Sequence, residues 1–161
     1  MKRRFIGLVF AFFSVVSFAA TVGEPAPNIS LRSANGTVTQ LSDYKGSVVY
    51  LDFWASWCKP CQRSFPWMNE VHQKFAAQGL KVIAVNLDVD KALADQFLSK
   101  LPADFAIAYD PEGESAEAYR VLGMPSSYLI DKQGILREVH QGFFATKVPL
   151  YEKQLDVLLA E

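Results

Sequence analysis

The chain contains only two cysteines, three residues apart in Cys58-Lys59-Pro60-Cys61. Ahead of them, Ser47 to Trp54 is an apolar run rich in β-branched and aromatic residues, the profile of a buried central strand. Behind them a helical pattern continues to about Gln78, with Cys58 expected to open it and Gly79 to end it. A thiol at the start of a helix faces unpaired backbone N–H groups and the positive end of the helix dipole, and both favour the thiolate. The pKa of such C-x-x-C thiols falls from about 8.5 to about 7 or lower. Lys59 adds a positive charge, and Pro60 is tolerated in a first turn, where its missing N–H costs nothing. Cys61 lies one helical turn further on. The expected order is therefore attack by Cys58 on a disulfide, then resolution of the mixed disulfide by a buried Cys61.

Two other uses of the pair are weaker. A bridge across so short a loop stabilises a chain little, because loop-closure entropy grows with loop length. Two thiols also make only half of a tetrahedral metal shell, and no second C-x-x-C or nearby histidine completes it. His72 and His140 are far apart and are expected to be surface or satisfied histidines. No metal and no cofactor is called for. The formal charge of -1 provides no basic field for nucleic acid.

Met1-Lys2-Arg3-Arg4 followed by an uncharged stretch from Phe5 to Ala20 is the layout of a secretory signal peptide. Ser17-Phe18-Ala19 fits cleavage after Ala19, with Ala20 the next choice, leaving 21–161 as one domain of about 140 residues. The competing reading is an uncleaved anchor, which the apolar stretch is short for. Export implies a periplasmic, oxidising surrounding.

Along that domain, 28–32 and 37–41 read as short strands around the hairpin signal Asn35-Gly36. Further strands are expected over 81–87, 105–109, 127–130 and 135–141, and helices over 92–100, 114–120 and 148–159, the last with Thr146 as N-cap. Pro66 falls inside the helix that follows the cysteines. Strand–helix alternation argues a parallel core and the final hairpin adds antiparallel strands. The class is α/β, with a mixed central sheet, helices on both faces and an N-terminal β-hairpin.

Asp52-Phe53-Trp54-Ala55-Ser56-Trp57-Cys58-Lys59-Pro60-Cys61 resembles the active-site segment of thioredoxins. Pro66 matches the proline of the thioredoxin active-site helix, and Gly123-Met124-Pro125-Ser126-Ser127-Tyr128-Leu129-Ile130-Asp131 resembles the second thioredoxin signature, whose proline is cis. The leading hairpin, Asp43-Tyr44-Lys45-Gly46 and the Asp131-to-Gly134 turn are closer to the exported TlpA/ResA-like thiol–disulfide oxidoreductases, a branch that includes reductants of cytochrome c maturation. Two positions depart from that branch: Asp52, where Asn is frequent, and Ser64, where an acid is frequent.

The resemblance implies a redox-active pair, Cys58 and Cys61, with Asp52 exchanging a proton with Cys61. On the residues alone, Asp52 is an acid in an apolar strand, which also suits a backbone-bonded carboxylate. Pro125 becomes a cis-proline beside Cys58 that leaves the Met124 backbone free for an extended substrate segment. Trp57 belongs either to an apolar rim for substrate or to packing, and Trp54 to the core. The implied partners are protein disulfides and, for a reductant, a membrane thiol-reductase that recharges a monomeric enzyme. The Lys59-Pro60 dipeptide resembles reducing members. Competing classes of the same fold are a peroxiredoxin-like peroxidase, which needs Pro at 51 and Thr at 55 where this chain has Leu51 and Ala55, a copper-delivery protein, which needs C-x-x-x-C, and a redox-inert binding module.

Overall fold

The computed structural model describes residues 20–161. The expected signal segment lies outside the described residues except for Ala20. Among the described residues no helix is long and apolar enough to cross a membrane.

Eleven regular elements follow one another: β1 (Ser30–Arg32), β2 (Val38–Gln40), β3 (Val48–Trp54), α1 (Cys61–Phe75), β4 (Leu80–Asn86), α2 (Lys91–Lys100), β5 (Ala106–Tyr109), α3 (Glu114–Ala118), β6 (Ser126–Ile130), β7 (Leu136–Gln141) and α4 (Val148–Ala160). The strands form one seven-stranded sheet in the order β2-β1-β5-β4-β3-β6-β7. β3, β4 and β5 are parallel, while β6, β7 and the β1–β2 hairpin join antiparallel. This is the mixed sheet with helices on both faces, and the leading hairpin, expected from the sequence.

β3 is buried along its whole length and hydrogen-bonded on both edges, to β4 and to β6. Strand side chains alternate between faces. Val48, Tyr50 and Trp54 therefore enter one core cluster with Phe65, Met68 and Phe75 of α1, Phe97 of α2 and Leu155 of α4. Val49, Leu51 and Phe53 enter the other, with Leu31 of the hairpin, Leu41 and Tyr119. Asp52 has the parity of the first cluster and so faces α1.

Two local expectations are corrected. The α-helix begins at Cys61, not Cys58. Its entry is tightened by i→i+3 bonds, Cys61 N–H to the Cys58 carbonyl (3.1 Å) and Gln62 N–H to the Lys59 carbonyl (3.2 Å), so residues 58–60 form a turn ahead of it. Thr146 does not cap α4. It lies in a 3-10 turn, Ala145–Lys147, and Lys147 occupies the N-cap without a side-chain bond. Pro149 in the first turn removes one of the orphan donors a cap would serve. Asn35-Gly36 do lie in the turn of the β1–β2 hairpin, as expected, in a loop closed by Ser33 N–H to the Thr37 carbonyl (2.8 Å), with Gly36 at φ +84°. Gly79 does end the α1 region, at φ +100°, a conformation glycine adopts without a Cβ penalty.

Phe65 is fully buried, with Trp54, Phe97 and Phe105 at ring-centroid distances of 4.8, 4.9 and 5.4 Å. Phe65→Ala is expected to lower unfolding free energy by about 3–5 kcal/mol. Urea denaturation should show a lower midpoint with an unchanged slope, while the exposed Val157→Ala changes little.

Candidate active site

The site starts where β3 ends. Behind Trp54 the chain turns through Ala55-Ser56-Trp57, and Cys58 N–H donates to the Ala55 carbonyl at 3.0 Å. Cys58 and Cys61 are joined in a disulfide, S–S 2.03 Å with Cα atoms 5.3 Å apart. Cys61 is fully buried at 0% exposure, whereas Cys58 keeps 3%, so any access to the bridge is through Cys58. The Cys61 N–H also points at Cys58 Sγ, at 3.2 Å. This N–H, shared between the Cys58 carbonyl and its sulfur, stands at the positive end of the α1 dipole, where it would favour a negative charge on the outer sulfur.

The loop carrying Cys58 is clamped from just beyond the end of β4 by a residue that the sequence did not single out. Asp88, nearly buried, accepts Ser56 N–H (2.8 Å) and Asn86 Nδ2 (2.8 Å) on Oδ2, and the Ser56 hydroxyl (2.8 Å) on Oδ1. Its own N–H donates to Asn86 Oδ1 at 3.1 Å. Polar residues at 86 and 88, alternating past the end of an apolar strand, were the available signal. Their partner 32 residues away was not.

Asp52 is fully buried in the middle of β3. Its cross-strand neighbour is Ser127 of β6, and the Ser127 hydroxyl donates to Asp52 Oδ1 at 2.7 Å. The Tyr50 hydroxyl donates to Ser127 Oγ, also at 2.7 Å. Asp52 Oδ2 has no partner among the described residues. The carboxyl is therefore not the backbone-bonded carboxylate that its position alone allowed. Burial pushes its pKa from 3.8 up to about 7, against the opposing effect of the Ser127 bond. Tyr50 and Ser127 were also missed: an acid in an apolar strand calls for a donor, but only the β3–β6 register says which serine supplies it.

Around the disulfide, Trp57 is 70% exposed, which removes core packing as its role, while Trp54 is fully buried in the core. The Met124–Pro125 peptide bond is cis. Pro125 is buried and its carbonyl accepts Gly142 N–H at 2.8 Å, and Met124 packs against the cluster that holds both cysteines. Among the described residues the Met124 N–H and carbonyl have no backbone partner. A groove of about 310 Å³ runs from Trp57 along α2, past Leu93, Phe97 and Lys100. A larger cavity of about 470 Å³ is lined by Leu41, Val49 and Ile130, on the other face of the sheet, and includes none of these residues. His140 is neither surface nor fully satisfied. It stacks on Tyr151, and Nε2 lies 3.0 Å from Gln154 Oε1, but its buried Nδ1 has no partner and burial lowers its pKa.

A disulfide at the mouth of a helix, on a mixed sheet with a cis-proline before β6, defines a thiol–disulfide oxidoreductase of the thioredoxin-like class. The AhpC/TSA family model matches residues 22–139. The chain is 35% identical over 134 residues to the thiol-disulfide oxidoreductase ResA of Geobacillus kaustophilus, covering 83% of this chain and 77% of that protein. It is 35% identical over 120 residues to ResA of Bacillus subtilis, covering 74% and 67%. A crystal structure assigned as the thiol:disulfide interchange protein DsbE of Chlorobium tepidum superposes with a TM-score of 0.84 at 46% identity, covering 88% of this chain and 99% of that one. The chain belongs to the AhpC/TSA family, among the ResA-like thiol–disulfide oxidoreductases.

The Asp52 environment has a stability consequence. Its folded pKa, about 7, exceeds the 3.8 of an ordinary Asp, so the folded chain holds this proton more tightly than the unfolded chain does. The contribution is fully present below about pH 4 and is lost as pH rises through 7. Asp52→Asn should therefore stabilise the protein increasingly from pH 4 to 8, by on the order of 4 kcal/mol at the upper end. Urea unfolding of both proteins across that range checks it, and parallel curves would mean that Asp52 ionises as an exposed acid does.

Proposed function

We propose that this chain is an exported, monomeric protein-disulfide reductase of the periplasm, with residues 1–20 as its cleaved signal and 21–161 as its thioredoxin-like domain. The carrying observation is the asymmetry of the Cys58–Cys61 bridge: the outer sulfur receives the helix-end N–H and the inner one is sealed in the core.

In the reduced enzyme, Cys58 thiolate attacks a substrate disulfide. A Cys58–substrate bond forms and the first substrate thiolate leaves. Cys61 then gives its proton to the Asp52 carboxylate and attacks Cys58 Sγ. The Cys58–substrate bond breaks, the second substrate thiolate departs and takes a proton from solvent, and the enzyme disulfide is left. The substrate gains the two electrons that the enzyme dithiol loses. A carboxyl that titrates near neutral pH suits that transfer. Trp57, Met124 and Pro125 receive the substrate: the indole offers exposed apolar surface, and the free Met124 N–H and carbonyl can pair with an extended segment. Electrons come from a membrane thiol-reductase, and cytochrome c maturation is the candidate setting, supported by the ResA-like resemblance. Against a peroxidase stand Leu51 and Ala55, both fully buried core residues where that chemistry needs Pro and Thr.

Alkylation of the reduced protein near neutral pH is expected to label Cys58 first, and Cys61→Ser to trap a substrate on Cys58. Preferential labelling of Cys61 would reverse the two roles. The disulfide is expected to titrate against glutathione nearer about -270 mV than about -120 mV. A midpoint above about -180 mV would make the protein an oxidant or isomerase instead.

A further inference from the structure

We propose that Ser127, oriented by Tyr50, is a positioning residue that commits Asp52 Oδ1 to accepting a hydrogen bond and leaves Oδ2 as the oxygen that takes up the proton. The inference rests on the reading of Asp52 as the proton acceptor for Cys61.

The argument is a count of donors and acceptors. A serine hydroxyl has one proton to give and can also accept. Tyr50 donates to Ser127 Oγ at 2.7 Å, and its hydroxyl has no other acceptor among the described residues. Burial holds Tyr50 in its protonated form, and the Asp52 charge adds to that effect. With Tyr50 as the donor to Ser127, the Ser127 proton is left for Asp52 Oδ1, at 2.7 Å. Asp52 Oδ2 is buried and unpartnered. The oxygen that is already a good acceptor stays one, and the proton goes to the other.

Register builds this arrangement. Ala84, Asp52, Ser127 and His140 are successive partners across β4, β3, β6 and β7, so they lie side by side on one face of the sheet. Tyr50, two residues before Asp52 on the same face, reaches Ser127 diagonally, a separation that an aromatic side chain can span. The titratable groups on this face are Tyr50 on β3, Tyr109 on β5, Glu138 beside Leu129 and His140 beyond Ser127 on β7, Cys58 and Cys61 at the head of α1, and Tyr151 on α4. Ala84 on β4 does not titrate. Of these groups only Tyr50, through Ser127, is hydrogen-bonded toward Asp52. A bond donated to a buried carboxylate favours the charged form, so Ser127 opposes the effect of burial and holds the group near neutral pH.

The experiment follows the Asp52 carboxyl directly by carbon NMR across pH in the reduced protein, with the pH profile of insulin-disulfide reduction beside it. Ser127→Ala is expected to raise the Asp52 midpoint by about one pH unit. Tyr50→Phe should raise it by about half as much, because the serine proton is no longer directed. Ser127→Thr, which keeps the hydroxyl, should stay near wild type. The kinetic midpoint should move with the NMR midpoint, and Ser127→Ala should add no further pH shift in an Asp52→Asn background. An unmoved NMR midpoint in folded Ser127→Ala overturns the inference. Should that variant fail to fold, an unmoved midpoint in Tyr50→Phe does so. An NMR midpoint that moves without the rate profile upholds the role of Ser127 and overturns Asp52 as the proton acceptor.

Discussion

Strand β3 is paired on both edges and buried on both faces, and the rest of the molecule is arranged around that constraint. A strand with no solvent-facing side must send alternate residues into two separate cores. One core requires α1, α2 and α4 as its cover and the other requires the hairpin, the 3-10 turn Leu41–Tyr44 and α3. The chain leaves β3 at Trp54 and turns at once into α1, so the cysteines stand at the edge of the first core. Cys58 keeps a trace of exposure there, while Cys61 is sealed beneath it.

The same alternation places an acid where only apolar side chains are otherwise found. Asp52 and Asp88 show two ways of burying a carboxyl. Asp88 receives three donors and uses them to hold the loop before Cys58. Asp52 receives one and keeps an oxygen without a partner among the described residues. Asp88 is satisfied, whereas Asp52 is left incomplete, and the cost falls on stability. The carboxyl disfavoured by burial is the one poised near neutral pH.

The apolar surface beside the disulfide follows a similar division. Trp54 and Trp57 flank one short loop, yet one is fully buried against Phe65 and Phe97 and the other projects into solvent. Side-chain type does not separate them. Their position does: the last residue of the strand faces inward by parity, while the loop behind it has no second layer to cover it.

The sequence by itself determined the local chemistry. The Cys58–Cys61 spacing, the apolar runs of β3 and β4, Gly79 at the end of the α1 region and the alternation of strands and helices were legible because each depends on residues a few positions apart. The same local rules misplaced the first helical residue and the α4 cap, since element ends are set by which backbone groups find partners, and i→i+3 bonds at Cys58 or a proline at 149 change that. Only the tertiary structure decided which serine meets Asp52, which acid clamps Ser56 and which tryptophan is exposed. Ser127 is 75 residues from Asp52 and Asp88 is 32 from Ser56. Contacts of that separation are fixed by strand register, and register is a property of the assembled sheet, settled when both cores of β3 are filled at once.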